Sequence, residues 1–228
     1  MLKQAHEAYN KQDFKTALDI YTKLSNEGNA EAETSLAFMY QNGQGCEQNL
    51  QKAVELYMVA AEKKQPYAMY NLALFYANGL NGVPFDQYKA HQLFLEAAVR
   101  EVPPAMYEVG VMFEKGLGCE GNFSEAAFWY EEAAKRGHLE AFNNLGVLYK
   151  DGHGVIQDDK RAFICFSRAA EGDLKEGLYN LGLLYDQGIG CEEDHDKALD
   201  LCRKAAYKGH LKAKEIIKSL QEDGKIVF

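Results

Sequence analysis

Apolar positions recur along this chain with two rhythms. Within a segment they fall three and four residues apart, the spacing of a helix that buries one face. Across segments the whole pattern returns. Leu36-Ala-Phe-Met-Tyr-Gln-Asn-Gly43 is followed by Leu72-Ala-Leu-Phe-Tyr-Ala-Asn-Gly79, Val109-Gly-Val-Met-Phe-Glu-Lys-Gly116, Leu145-Gly-Val-Leu-Tyr-Lys-Asp-Gly152 and Leu181-Gly-Leu-Leu-Tyr-Asp-Gln-Gly188. Their starts lie 36, 37, 36 and 36 residues apart. A period in this range marks stacked helix pairs, each burying its apolar face against its neighbours.

Each unit reads as a helix A, a glycine loop and a helix B. Helix A opens near Ala32, Ala68, Ala105, Ala141 or Gly177. One turn on, the apolar residue of the repeated phrase shares that face. The next residue is always small: Ala37, Ala73, Gly110, Gly146 or Gly182. A side chain of that size predicts close helix approach. Three residues later an aromatic (Tyr40, Tyr76, Phe113, Tyr149, Tyr185) extends the predicted core. Gly43, Gly79, Gly116, Gly152 and Gly188 supply the left-handed residue that ends a helix. Helix B then starts at Asn49, Asp86, Asn122, Asp158 or Asp194, each able to cap the first free N–H groups. Its interior carries paired alanines, from Ala60-Ala61 to Ala205-Ala206, with Tyr57, Phe94, Tyr130, Phe166 and Trp129 between.

The register extends beyond these five units. Asp13 and Ala17 lie 36 residues before Asn49 and Ala53, so 13–27 reads as another helix B and 2–10 as a shortened helix A. Leu211 to Glu222 reads as a final helix A, with Lys212, Lys214 and Lys218 on a solvated face and Asp223-Gly224 closing it. The expected fold is all-α, one array of about 13 antiparallel helices.

Composition narrows the function. A net charge of −9 supplies no basic face for nucleic acid or an anionic membrane. No apolar run approaches the roughly 18 residues of a membrane span. Five cysteines make an odd number, against a full disulfide framework. Cys46, Cys119 and Cys191 stand two units apart, and Cys165 and Cys202 one. At about 10 Å per unit, none should reach the roughly 7 Å Cα limit for a disulfide. The cytoplasm is the expected compartment, and the array is compatible with a monomer.

The phrase Leu145-Gly-Val-Leu-Tyr-Lys-Asp-Gly-His-Gly-Val, with Asp158, Arg161-Ala162 and Ala169-Ala170 after it, resembles the Sel-one-like repeat, a relative of the tetratricopeptide repeat. The resemblance covers residues 29–210 as five units, 29–65, 66–101, 102–137, 138–173 and 174–210. Residues 1–28 are closer to a tetratricopeptide-type helix pair, and 211–228 form a C-terminal capping helix and tail. The resemblance implies a right-handed superhelical solenoid with helix A on the concave side. It also implies a scaffold or adaptor that binds proteins, not an enzyme. Some cysteine-rich relatives are described as penicillin-binding or β-lactamase-like. They clamp helix A to helix B with two cysteines per unit, a pattern absent here; an activity of that kind is the alternative reading of this chain, and a structural subunit that oligomerises through its edges or ends is a third.

The residues themselves offer little chemistry. Three positions after Ser25, Ser35, Ser124, Ser167 and Ser219 stand Gly28, Phe38, Ala127, Ala170 and Glu222, so no Ser-x-x-Lys pair exists. No nucleophile elbow or phosphate-binding loop occurs. Cys191 and His195 beside Glu192, Glu193 and Asp194 are the densest set of metal-ligand types, and a solvated acidic loop explains them. His138 and His210 share one repeat position and read as turn packing. No cofactor or metal is expected.

A more informative ladder lies on helix A, off the core face. It comprises Thr34, Tyr70, Tyr107, Asn143 and Tyr179, each followed by Ser35, Asn71, Glu108, Asn144 or Asn180. In tetratricopeptide-type arrays these positions line the groove. Asparagine offers both donor and acceptor to a peptide backbone, and tyrosine a rigid amphipathic contact. The predicted contacts are Tyr70, Asn71, Tyr107, Asn144, Tyr179 and Asn180. Glu108 and Glu114 add negative charge there, so a protein or peptide ligand of basic or neutral character is expected. The competing reading of the same residues is scaffold: hydrogen bonds and packing between repeats.

Overall fold

The computed structural model describes residues 1–222, which fold into 13 helices joined by loops and turns, with no strand among them. The expected closure at Asp223-Gly224 lies outside the described residues. The helices form two compact units, Met1–Glu120 and Gly121 onward, divided just after Cys119 in the third glycine loop. The first unit holds α1 (Leu2–Asn10), α2 (Phe14–Asn26), α3 (Ala30–Asn42), α4 (Leu50–Glu62), α5 (Pro66–Asn78), α6 (Gln87–Val99) and α7 (Pro103–Lys115). The second holds α8 (Phe123–Lys135), α9 (Leu139–Asp151), α10 (Asp159–Glu171), α11 (Lys175–Gln187), α12 (His195–Tyr207) and α13 (Leu211–Glu222). Within each unit a helix packs chiefly on the ones before and after it in the chain.

The helix ends follow the predicted capping residues. Side chains of Asn49, Asp86, Asn122, Asp158 and Asp194 each accept a bond from a first-turn backbone N–H of their helix B. Asp13 does the same for α2. Every full helix A ends on its glycine in the left-handed region, with φ between 62° and 71°. Helix A starts two residues earlier than the alanine pattern predicts, at Ala30, Pro66, Pro103, Leu139 and Lys175. Residues ahead of the alanine set that start: Asn29 caps α3, Gln65 caps α5, and proline opens α5 and α7.

Small residues do what their spacing predicts. A Cβ on Gly146 would stand 2.8 Å from Cε1 of Phe166, so that ring lies directly on the α9 backbone. Ala53, Ala60, Ala90 and Ala97 in the first unit, and Ala126, Ala133, Ala162 and Ala169 in the second, are fully buried. Gly177 meets Ala169 so closely that a Cβ would lie 2.5 Å from the alanine methyl. The α10 and α11 backbones thus meet directly where one repeat of the second unit joins the next.

The helix-A aromatics depart from the expectation. Tyr76 and Tyr149 are buried, but Tyr40, Phe113 and Tyr185 are only half-buried. A basic residue at the start of helix B lies over four of the rings: Lys52 over Tyr40, Lys89 over Tyr76, Arg161 over Tyr149 and Lys197 over Tyr185, 4.2 to 5.4 Å from the ring centre. These rings seal the core edge beneath a long cationic stem. The core position is one residue earlier: Met39, Phe75, Met112, Leu148 and Leu184 are all at most 5% exposed. Trp129 is half-buried too, edge-on to Phe128.

Candidate functional site

In the first unit the predicted helix-A face divides by burial. Thr34 is buried and returns its hydroxyl to Ala30 O at 2.8 Å, so it faces no ligand. Tyr70 is half-buried, its ring 5.7 Å from that of Phe94. Burial, and then the neighbouring Glu108 carboxylate, push the Tyr70 phenol above its ordinary pKa. Asn71 is half-buried and makes no side-chain hydrogen bond among the described residues, leaving a free amide beside Tyr70. Tyr107 is half-buried as well. Glu108 is not a simple surface charge. Burial raises its pKa above the usual carboxylate range, against the opposing pull of Lys115.

In the second unit the asparagines form a short chain. Asn180 Nδ2 donates to Asn143 Oδ1 across one repeat at 2.8 Å. Asn143 Nδ2 reaches Asn144 Oδ1 at 3.3 Å. Asn143 is buried; Asn144 and Asn180 are half-buried. Tyr179 stacks on His210 with ring centres 4.2 Å apart, and His210 Nδ1 accepts from Ala213 N as the cap of α13. Asn143, Tyr179, Asn180 and His210 line an open cavity of about 380 Å³, rimmed by Lys175, Glu176 and Lys212. The structure therefore joins Tyr179 and Asn180 in one concavity. It also gives Asn180 a structural bond that sequence spacing did not reveal. His210, read from sequence as turn packing, is a wall of the same cavity; its place directly before the lysine-rich first turn of α13 was the available signal.

The remaining reactive groups are structurally engaged. Cys46, Cys119 and Cys191 point their thiols at the carbonyls of Met39, Met112 and Leu184, at 3.6–3.8 Å, at the end of helix A. All five cysteines are free thiols, and burial raises the pKa of each, that of Cys165 to about 12. Thiols held protonated are poor nucleophiles. His195 bridges Asp186 and Glu193 at 3.0 and 2.9 Å, and no group of three metal-ligating side chains converges among the described residues. Ser124 donates to Gly154 O.

Five segments match the model of the Sel1 repeat: residues 30–64, 66–98, 103–138, 140–174 and 175–210. The chain belongs to the Sel1 repeat family. A Sel1 repeat protein from Oxalobacter formigenes is similar over 96% of this chain and 87% of its own, with a TM-score of 0.89 and 27% identity. The protective antigen c5321 of uropathogenic Escherichia coli, which displays an SLR fold, is similar over 98% of this chain and 48% of its own, with a TM-score of 0.86 and 28% identity. Chitin synthase regulatory factor 4 of Schizosaccharomyces pombe is 31% identical over 129 residues, which is 56% of this chain. This Sel1 chain spans only 20% of the length of that factor. Sel1 repeats are a non-enzymatic type of scaffold, and proteins built from them generally act in protein–protein interaction. No helix among the described residues of this Sel1 array is long and apolar enough to cross a membrane.

Proposed function

We propose that this Sel1 chain binds a protein partner through an extended or helical segment laid on the exposed face of its A helices. The observation that carries this reading is the cavity at Tyr179 and Asn180, where an amphipathic ring and amide groups face an open space of about 380 Å³. Asn71 beside Tyr70 presents the same pair of groups in the first unit, with its amide unpaired. An asparagine side chain in that state matches the alternating donors and acceptors of a peptide backbone. Tyr107 joins Tyr70 and Asn71 as a proposed contact of the first unit, and Asn144 joins Tyr179 and Asn180 as one of the second. Lys175, Glu176 and Lys212 give mixed charge at the cavity, which suits a neutral main chain. The net charge of −9 disfavours acidic partners. We read the chain as a scaffold rather than an enzyme, and its five thiols favour a reducing compartment such as the cytoplasm.

The test uses a peptide selected on the intact chain from a random library. Asn71→Ala combined with Asn144→Ala should weaken that peptide about tenfold, as loss of one or two backbone-directed hydrogen bonds implies, with helical content and melting temperature retained. Unchanged binding would place the partner on another surface. Asn180→Ala is a poorer probe, because it removes the 2.8 Å bond to Asn143 that joins two repeats, whereas Asn144→Ala loses only the longer 3.3 Å contact to its own chain neighbour.

A further inference from the structure

One helix-B position is aromatic in repeat after repeat. Tyr21, Tyr57, Phe94, Tyr130 and Phe166 succeed one another at the repeat interval, each at most 2% exposed. The next residue in that register is Cys202. One turn earlier on the same helix the residue varies along the array, and Phe163, edge-on to Tyr185 at 5.3 Å, is followed one repeat later by Leu199. In the preceding repeat Phe166 lies on the bare backbone of Gly146. At Gly182 no ring arrives; the nearest atom to an added Cβ is Ala198 O, at 3.2 Å.

The missing ring leaves a hole. Gly182 and Leu183 of α11, Ala198, Leu199 and Cys202 of α12, and Leu220 of α13 line a half-open cavity of about 320 Å³. Ile216 and Tyr179 form its apolar edge, and Asp186 and His195 its polar edge. Tyr179 is also a wall of the 380 Å³ cavity described above, so one ring separates the two spaces. At the polar edge one imidazole stands between two carboxylates, Asp186 and Glu193. Even with His195 protonated, that edge keeps a net negative charge.

We propose that this cavity receives an aromatic side chain of the partner peptide, flanked by a lysine or arginine that pairs with Asp186. The partner ring takes the place that Tyr21, Tyr57, Phe94, Tyr130 and Phe166 fill from within the chain. The inference deepens the peptide-binding reading and rests on it. It adds an anchor pocket to a face that otherwise offers only hydrogen bonds and shallow contact. A buried ring in a preformed apolar socket is the usual source of interface affinity.

The experiment titrates three acetylated tripeptide amides, Lys-Phe-Lys, Lys-Ala-Lys and Glu-Phe-Glu, into the isotope-labelled chain and follows backbone amides by NMR. Lys-Phe-Lys should shift Gly182, Leu199, Cys202 and Leu220, Lys-Ala-Lys should leave them still, and Glu-Phe-Glu should bind more weakly. Asp186→Asn should weaken Lys-Phe-Lys about threefold, as one exposed ion pair implies. Cys202→Phe rebuilds the internal ring and should abolish the shifts. Ile216→Lys at the exposed rim does not touch the core, and should abolish them even if the phenylalanine variant fails to fold. Equal shifts from the alanine peptide, or shifts unaltered by both variants, would overturn the pocket. So would binding that appears only after residues 223–228 are removed, or an oligomer in sedimentation that Ile216→Lys dissociates, since the chain itself would then be the occupant. A library-selected peptide that loses affinity on Asn71→Ala with Asn144→Ala, but not on Ile216→Lys, would sink the pocket while leaving the peptide-binding reading in place.

Discussion

Glu108 shows how a face position is altered by its setting. From sequence it is one more negative charge for a basic ligand. In the structure Glu108 is half-buried, with a raised pKa caused first by that burial and opposed by the charge of Lys115, and its own charge acts on Tyr70. A carboxyl whose folded pKa exceeds its unfolded value favours folding while it is protonated. That contribution is full below the ordinary carboxylate pKa and is lost as pH rises through the higher folded value. Glu108→Gln, neutral at every pH, should therefore raise the urea midpoint at pH 7.5 and leave it nearly unchanged at pH 4. A variant less stable at pH 7.5 would mean that the ionised carboxylate has a partner the burial does not reveal. Asn180 carries the same lesson in another form. Its repeat position is legible in the sequence, but whether its amide serves a ligand or Asn143 depends on which rotamer reaches back to helix A of the preceding repeat. Spacing along one chain does not encode that.

At the scale of the element, the caps and glycines were the legible part. Asn or Asp before each helix B and glycine after each helix A are local devices, so five near-copies sufficed to place them. The second loop glycine separates backbone strain from crowding. Gly154, at φ +70°, faces the backbone of Phe123 so closely that a Cβ there would clash, whereas a Cβ on Gly82, at φ +80°, would meet nothing within 4 Å. Gly82→Ala should cost about 1–2 kcal/mol, the left-handed penalty alone. Gly154→Ala should cost clearly more, because the loop must lift off α8; urea titration of both variants gives the comparison. Equal costs would mean the loop yields freely. The register of the core was less legible. Tyr76→Ala, at a buried ring, should cost about 3–5 kcal/mol by analogy with other large-to-small core changes. Lys89→Met, which keeps most of the covering stem but removes the charge 4.3 Å from that ring, should cost about 1 kcal/mol or less. Sequence pattern placed every such aromatic in the core because a Tyr at helical spacing looks the same whether a neighbour helix or a lysine stem covers it. Thermal melts of the two variants decide the matter.

At the scale of the molecule, a helix packed chiefly on its sequence neighbours gains its stability pairwise. In the second unit α10 brings Phe166 and Phe163 to its interface, and α12 brings Cys202 and Leu199. Amides of α12 and α13 should exchange with solvent faster than those of α9 and α10, read by native-state hydrogen exchange. Uniform protection through the unit would show that it opens only as a whole. The array itself was legible because a 36-residue period is a global signal written in every copy. The hollow at Cys202 was equally present in the letters, as the one break in a run of rings, but it acquires meaning only once Gly182 and Leu220 are seen to face it.

The second glycine loop is one residue longer than the others, and the structure shows where that residue went. Leu80 and Phe85 lie in the open, Asn81 adopts φ +55°, and a Cβ on Gly82 would meet nothing within 4 Å, while Asp86 still caps its helix as its counterparts do. Chain length and helix register are uncoupled at this one bend. An epitope or a fluorescent module spliced between Leu80 and Gly82 would ride outside the stack, giving a handle on the first unit that leaves every inter-helix seam as it was.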